Sequence, residues 1–218
     1  MIKLSPSDFA YLYEDCKHCF YLKVKEGITL PSMPMPGIFG AINTRVQGSL
    51  VGKDLRTLAS DLPEGKVVKQ EGFVESIKIP ETNLYLKGKY DVLVEKPDKS
   101  YLLVDLKLSQ PNDDKVDKYM TQLYSYKFAM ENPNYGKKIN ISQLALLIFY
   151  PNEVEFKDGK AIFSFPHRYL EVPLDEKGFF GFINKVNKLL LGPLPAPSEN
   201  CKWCQYRKKF KLGENTLF

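Results

Sequence analysis

The strongest constraint on the fold of this chain is the placement of its four cysteines, as Cys16-Lys17-His18-Cys19 near one end and Cys201-Lys202-Trp203-Cys204 near the other. Either Cys-x-x-Cys taken alone is a weak signal, because an interior cysteine also behaves as a small hydrophobe. Together, with no cysteine left over, the pairs supply four thiolates. That is a complete tetrahedral set for zinc or a full complement for an iron-sulfur cluster. A shared site requires the chain to close on itself across about 180 residues.

The rest of the composition is that of an ordinary globular protein. Of 218 residues, 44% are hydrophobic and 26% charged, which excludes a disordered chain. No apolar run approaches the roughly 20 residues needed to span a bilayer, and Met1-Ile2-Lys3-Leu4 lacks the form of a secretory signal. A cytoplasmic location is expected, and in a reducing compartment paired cysteines read as metal or redox ligands. The net charge of +5 leans towards a polyanionic partner. Only Arg45, Arg56, Arg168 and Arg207 are arginines among 31 basic residues, so lysine point charges dominate and backbone attraction fits better than base reading.

Along the chain, Ser5-Pro6-Ser7-Asp8 offers caps for a helix through Phe9, Leu12, Tyr13, Cys16 and Phe20 that ends near Gly27. Three prolines between Leu30 and Gly37 mark a connector or lid hinge. A broken helix is expected from Gly37 to Ala59. Period-two patterning then predicts antiparallel strands around Val67–Ile79 and Leu84–Val94. Tyr101–Leu108 is apolar except for Asp105 and Lys107, the pattern of a strand buried on both faces whose charges need a reason. Helices are expected after Asn112-Asp113-Asp114, stopping at Asn132-Pro133, and from Asp175 to Gly192. A buried strand at Leu144–Tyr150 and edge strands at Ala161–Phe165 and Tyr169–Val172 complete the set. These elements predict one α/β domain over residues 1–218, a mixed central sheet flanked by helices. Its core runs from about 37 to 192, clasped by about 1–30 and 193–218.

Strand alternation points Asp105 and Lys107 into one space, and a hairpin can bring Asp91 beside them. Two carboxylates hold a divalent cation such as magnesium, and a nearby lysine can orient or deprotonate an attacking water. The alternative is a buried Asp–Lys pair that only locks strand register.

The order of these residues resembles a known family. Gly88-Lys89-Tyr90-Asp91, then Asp105-Leu106-Lys107, then Gln122-Leu123-Tyr124-Ser125-Tyr126 is similar to the motif series of PD-(D/E)XK nucleases of the RecB type. The resemblance implies a restriction-endonuclease-like fold and hydrolysis of DNA. In it Asp91 and Asp105 hold magnesium or manganese, with Leu106 also in the metal set, and Lys107 serves the nucleophilic water. Gln122 and Tyr126, four apart on one helix face, would line the DNA channel; without the resemblance both read as core or boundary residues. The cysteine segments resemble those of iron-sulfur exonucleases of the AddB and CRISPR-adaptation kind. There one cysteine is N-terminal and three are C-terminal. Here Phe210 stands in the last place and Cys19 appears at the front, so a 4Fe-4S cluster and zinc both remain open.

That family also carries a metal-site histidine on an upstream helix, and Asn43 in Gly40-Ala41-Ile42-Asn43 takes its place here. An amide oxygen binds magnesium less readily than a carboxylate does. His18 and His167 are the only histidines, each more naturally a cluster neighbour or a surface residue. Glu71 is a candidate third carboxylate or an exposed strand charge. Lys202, Arg207, Lys208, Lys209 and Lys211 around Trp203, Tyr206 and Phe210, with Tyr11, Tyr13, Phe20 and Tyr21 near the first pair, suit single-stranded DNA or equally a cover for the cysteines. The expected activity is a metal-dependent deoxyribonuclease acting on single strands or ends in DNA repair or CRISPR-type adaptation, with protein partners of such a complex. The alternatives are a nucleic-acid-binding relative with weak catalysis and a structural metal-binding protein.

Overall fold

The computed structural model describes residues 1–30 and 36–214, with side chains through residue 209. A mixed sheet is built from β1 (Ile2–Leu4), β2 (Lys66–Glu75), β3 (Leu84–Glu95), β4 (Tyr101–Leu108), β5 (Ile141–Phe149) and β8 (His167–Val172). The strand order is β1-β3-β4-β5-β8, with β2 on the other edge of β3. A separate hairpin, β6 (Glu153–Lys157) and β7 (Lys160–Ser164), stands exposed on both faces.

One edge of β3 is shared by two partners. Its first residues pair in parallel with β1, Leu4 opposite Leu86, and its last residues pair antiparallel with β4, Val92 opposite Val104. Between these contacts the sheet forks, and Asp91 sits at the mouth of the fork. The helix α4 (Lys115–Glu131) makes the crossover to β5, which lies parallel to β4.

Each face of the sheet has its own apolar layer. On one, α4 and α5 (Glu176–Leu191) bury Leu123, Ala129, Ile183 and Val186 against Leu103, Leu144 and Leu146. Tyr124 stacks on Phe179 there at 4.9 Å. On the other face, α3 (Gly37–Leu50) packs Val46 and Leu50 over Val92, Val104 and Leu106. The continuous burial of β4 expected from its sequence is thus real, because helices cover both sides of it.

The N-terminal helix departs from expectation. It is split into α1 (Pro6–Asp8), a π-helical turn at Phe9–Tyr13 and α2 (Lys17–Glu26). The break falls at Cys16, whose extended backbone (φ −162°) makes it the cap of α2, with its Sγ accepting from the Cys19 amide at 3.5 Å. Ser5 makes no side-chain cap. Gly27 (φ 68°) closes α2 in the left-handed region, as glycine there does at little cost. The expected broken helix is α3 followed by a 3-10 turn at Leu55–Thr57. β1, β6 and a terminal helix α6 (Lys202–Glu214) were not anticipated, and Ile77–Ile79 is not a strand. Of the proline-rich connector, residues 31–35 lie outside the described residues.

Candidate functional site

Two consecutive strands and one helix build the centre of the site. Asp105 is 4% exposed on β4, with one carboxylate oxygen hydrogen-bonded and the other in an ion pair. Gln122 Nε2 donates to Oδ1 at 3.0 Å, and Lys107 Nζ lies 2.6 Å from Oδ2. Asp91, across the fork, accepts at Oδ2 from the Leu106 amide at 2.8 Å. Within a strand the N–H and C=O of one residue point to the same side, so the Leu106 carbonyl also faces the gap beyond the last β3–β4 pair.

The electrostatics follow from this crowding. Burial and then the neighbouring Asp105 charge push the Asp91 carboxyl up to about 6. Burial raises Asp105 as well, against the pull of Lys107. For Lys107, burial works against the charge, but attraction to Asp105 and Asp91 outweighs it and holds the ammonium above its ordinary range. Two carboxylates thus share one ammonium in a poorly hydrated pocket, leaving one negative charge uncompensated.

The helix α4 supplies the floor. Gln122 is 4% exposed, and its Oε1 is buried without a partner among the described residues. Tyr126 is buried too, against Gly88: a Cβ at position 88 would stand 3.0 Å from both Tyr126 Cε1 and Pro6 Cδ. A glycine is therefore required where β3 meets α4 and the N-terminal turn. The same helix stripe carries Tyr119, whose ring centroid lies 4.3 Å from Lys107 Nζ and whose hydroxyl meets Tyr11 Oη at 2.8 Å. Tyr119 is absent from the sequence-derived set, although its spacing of three from Gln122 and seven from Tyr126 places it on their face.

Other candidates stand further out. Glu71 lies opposite Asp91 on β2, between the pairs Gln70–Val92 and Gly72–Tyr90, and has a left-handed backbone (φ 49°). That conformation costs a non-glycine residue of the order of 1–3 kcal/mol. Its carboxylate pairs with Lys89 at 2.9 Å, and its charge adds a small upward push on Asp91. Asn43 is half-buried on α3, with no hydrogen bond to the carboxylates among the described residues. One turn on, Gln47 is fully buried with both amide atoms unpartnered. The histidines are elsewhere: His18 Nδ1 meets the Pro195 carbonyl at 2.7 Å, and His167 Nε2 lies 3.7 Å from Asp61.

The two cysteine pairs do come together. All four Sγ atoms lie within 4.8 Å of one another, and all four residues are buried. Cys16 to Cys204 is 3.6 Å, Cys19 to Cys201 3.7 Å and Cys19 to Cys204 3.8 Å, far longer than the roughly 2.05 Å of a disulfide. An Arg207 guanidinium nitrogen stands 3.0 Å from Cys19 Sγ, and Trp203 packs over the cluster. Of the aromatic residues around the first pair, Tyr13 and Phe20 are core, meeting edge to face at 5.1 Å. Lys208 and Lys209 are exposed. The side chains of Phe210 and Lys211 lie outside the described residues.

Comparison with known proteins bears on the fold and the family. The crystal structure of SSO0001 is similar with a TM-score of 0.51 at 13% identity, over 92% of this chain and 80% of that one; at such identity the likeness concerns the fold alone. No match was found among curated proteins. A family model described as the PD-(D/E)XK nuclease superfamily matches residues 53–208, a span that takes in β2 through β5 with Asp91, Asp105 and Lys107, all of α4 and the second cysteine pair. With well over half of its length matched, the chain belongs to the PD-(D/E)XK nuclease superfamily.

Proposed function

We propose that this protein is a divalent-metal-dependent deoxyribonuclease, one domain over residues 1–218, with Asp91, Asp105 and Lys107 as its reacting centre. The observation that carries the reading is the pair of neighbouring carboxylates at the fork, Asp91 and Asp105, with the Lys107 ammonium paired to Asp105. Such a donor set fits a hard cation. Asp91 and Asp105 offer carboxylate oxygens, the Leu106 carbonyl faces the same gap, and the raised Asp91 carboxyl reports negative charge that a cation relieves. Asn43 and Glu71 would serve such an ion as outer donors, through water.

Magnesium or manganese bound there supplies charge screening for the phosphate in the transition state. The chain's own groups do the rest. Lys107 hydrogen-bonds the attacking water and orients it towards phosphorus. Gln122 fixes the Asp105 carboxylate from the helix side, and Tyr126, buried against Gly88, holds α4 to β3 beneath the site. Preference for single strands or ends, and a place in DNA repair or CRISPR-type adaptation in the cytoplasm with protein partners, rest on the motif series rather than on the site geometry.

At the cysteines we favour zinc over a 4Fe-4S cluster. Four thiolates at about 2.3 Å from one tetrahedral ion stand about 3.8 Å apart; three of the Sγ pairs lie at 3.6 to 3.8 Å, and all four sulfurs lie within 4.8 Å of one another. A four-iron cluster spreads its ligands around a larger body. The site acts as a clasp that ties the chain ends.

The test is cleavage of labelled single- and double-stranded DNA with and without magnesium or manganese, beside Lys107→Ala. Metal-dependent cleavage lost in the variant is the expected result. A second reading, a nucleic-acid-binding relative with weak catalysis, is favoured by the engagement of both histidines away from the fork. Binding without cleavage would select it, and neither binding nor cleavage would select a structural role.

A further inference from the structure

Two large rings stand mostly in water on the β2 side of β3, across that strand from the fork, without serving the core. Phe73 on β2 is 76% exposed and Tyr135 is 78% exposed, in the loop that follows α4. Both line one groove of about 440 Å³ whose floor is Tyr90, Ala129 and Met130. The floor exists because residue 72 is glycine: a Cβ there would stand 2.3 Å from the Tyr90 ring, which lies across the β2 backbone.

The two rings are mounted rigidly. Phe73 is held in the β2–β3 ladder opposite Lys89, two positions from Asp91, or about 7 Å along the strand. Two hydrogen bonds tie the Tyr135 loop to the end of the same strand, Asn134 N to the Glu75 carbonyl at 2.8 Å and Asn134 Nδ2 to Glu75 Oε1 at 2.8 Å, and a third, Ile77 N to the Asn132 carbonyl at 2.9 Å, ties it to the segment just beyond. Lys69, Lys87 and Lys137 rim the groove. Glu75 neutralises Lys87 at 2.7 Å, whereas Lys69 and Lys137 have no acidic partner among the described residues.

Exposed rings on a fixed frame with unpaired lysines beside them match one kind of occupant. Aromatic faces stack on unpaired bases whatever their identity, and lysines track the phosphates between them. An apolar protein segment would leave the two cations facing nothing. We infer that the Phe73–Tyr135 groove is a binding subsite for unpaired nucleotides of single-stranded DNA, next to the strand that carries Asp91. Bases caught there hold the strand in register while a phosphate one or two nucleotides away lies at the fork. The inference rests on the proposed nuclease reading only for the nature of the polymer, not for the chemistry.

The experiment measures binding of a fluorescent single-stranded oligonucleotide in EDTA, so that nothing is cut. The full-length protein is compared with Phe73→Ala, Tyr135→Ala and the double variant, and folding is checked by thermal denaturation. Because both rings are exposed, the variants should unfold at the temperature of the parent. Each single change is expected to weaken binding about tenfold, within the range of one lost stacking contact. A 2-aminopurine base in the strand should be quenched by the parent and not by the double variant. A strand of abasic sites should bind parent and double variant equally, which a merely structural role would not produce. Parent-like affinity and quenching in the double variant overturn the subsite while leaving the nuclease reading intact. Failure of the unmodified protein to bind any strand overturns both.

Discussion

Tyr126 and Gly88 form a contact that leaves no room for a side chain on β3. The ring carbon Cε1 lies 3.0 Å from where a Cβ would be, and Pro6 Cδ closes the opposite side at the same distance. Helix α4, strand β3 and the N-terminal turn thus meet at one missing methyl group, three residues before Asp91.

Gly88→Ala tests that contact directly. Tyr126 is buried and Pro6 is held by β1, so neither can retreat freely. Overpacking of this sort costs about 1–3 kcal/mol. A lower midpoint in urea, with reduced nuclease rate from a displaced α4, is the expected outcome. A variant as stable as the parent would show that the junction is soft.

Removal of Lys107 should destabilise the fold as well as the activity. Lys107→Ala leaves the buried Asp105 carboxylate without its ammonium, and breaking one side of a buried pair costs about 3–5 kcal/mol. The loss should shrink at low pH, where Asp105 becomes neutral. Denaturation at pH 7 and pH 4 reads both; an equal loss at the two pH values would argue against the pair as the cause.

The pH dependence of stability has a definite sign at Asp91. Its folded carboxyl titrates near 6 because of burial and Asp105, above the roughly 3.9 of an unfolded aspartate. Between those values the folded state binds more protons, so this pair makes stability fall as pH rises from about 4 to about 6. Asp91→Asn should flatten that fall. Magnesium should restore stability to the parent above pH 6 and do little for the variant, as thermal melts with and without the ion would reveal.

The cysteine clasp predicts a metal that is structural. Elemental analysis should find one zinc per chain in a colourless protein; visible absorption with iron present would reverse that assignment. Cys16→Ala or Cys201→Ala should lose the metal and lower the melting temperature, because the ion closes the loop between the chain ends.

Much of the centre was legible along the chain. Asp105 and Lys107 stood out because charges in an apolar strand demand a reason, and helical spacing put Gln122 and Tyr126 on one face. The terminal cysteine pairs implied a closed chain. The strand and helix readings rest on local periodicity, which one chain segment carries by itself, whereas Gln122 and Tyr126 were singled out by the resemblance to the motif series and the cysteines by their spacing.

Other features depend on contacts between distant segments, which no local pattern encodes. The fork exists because β1 and β4 share one edge of β3, and β1 is only three residues long, too short to show a period. Lys107 meets Tyr119, Tyr135 shares a groove with Phe73, and the four sulfurs come within 4.8 Å of one another only once the sheet and helices have packed. The sequence by itself determined which residues carry charge, thiolate and helical phase. Tertiary packing alone decided the distances between them and the loss of water that shifts Asp91, because burial and proximity belong to the folded chain as a whole.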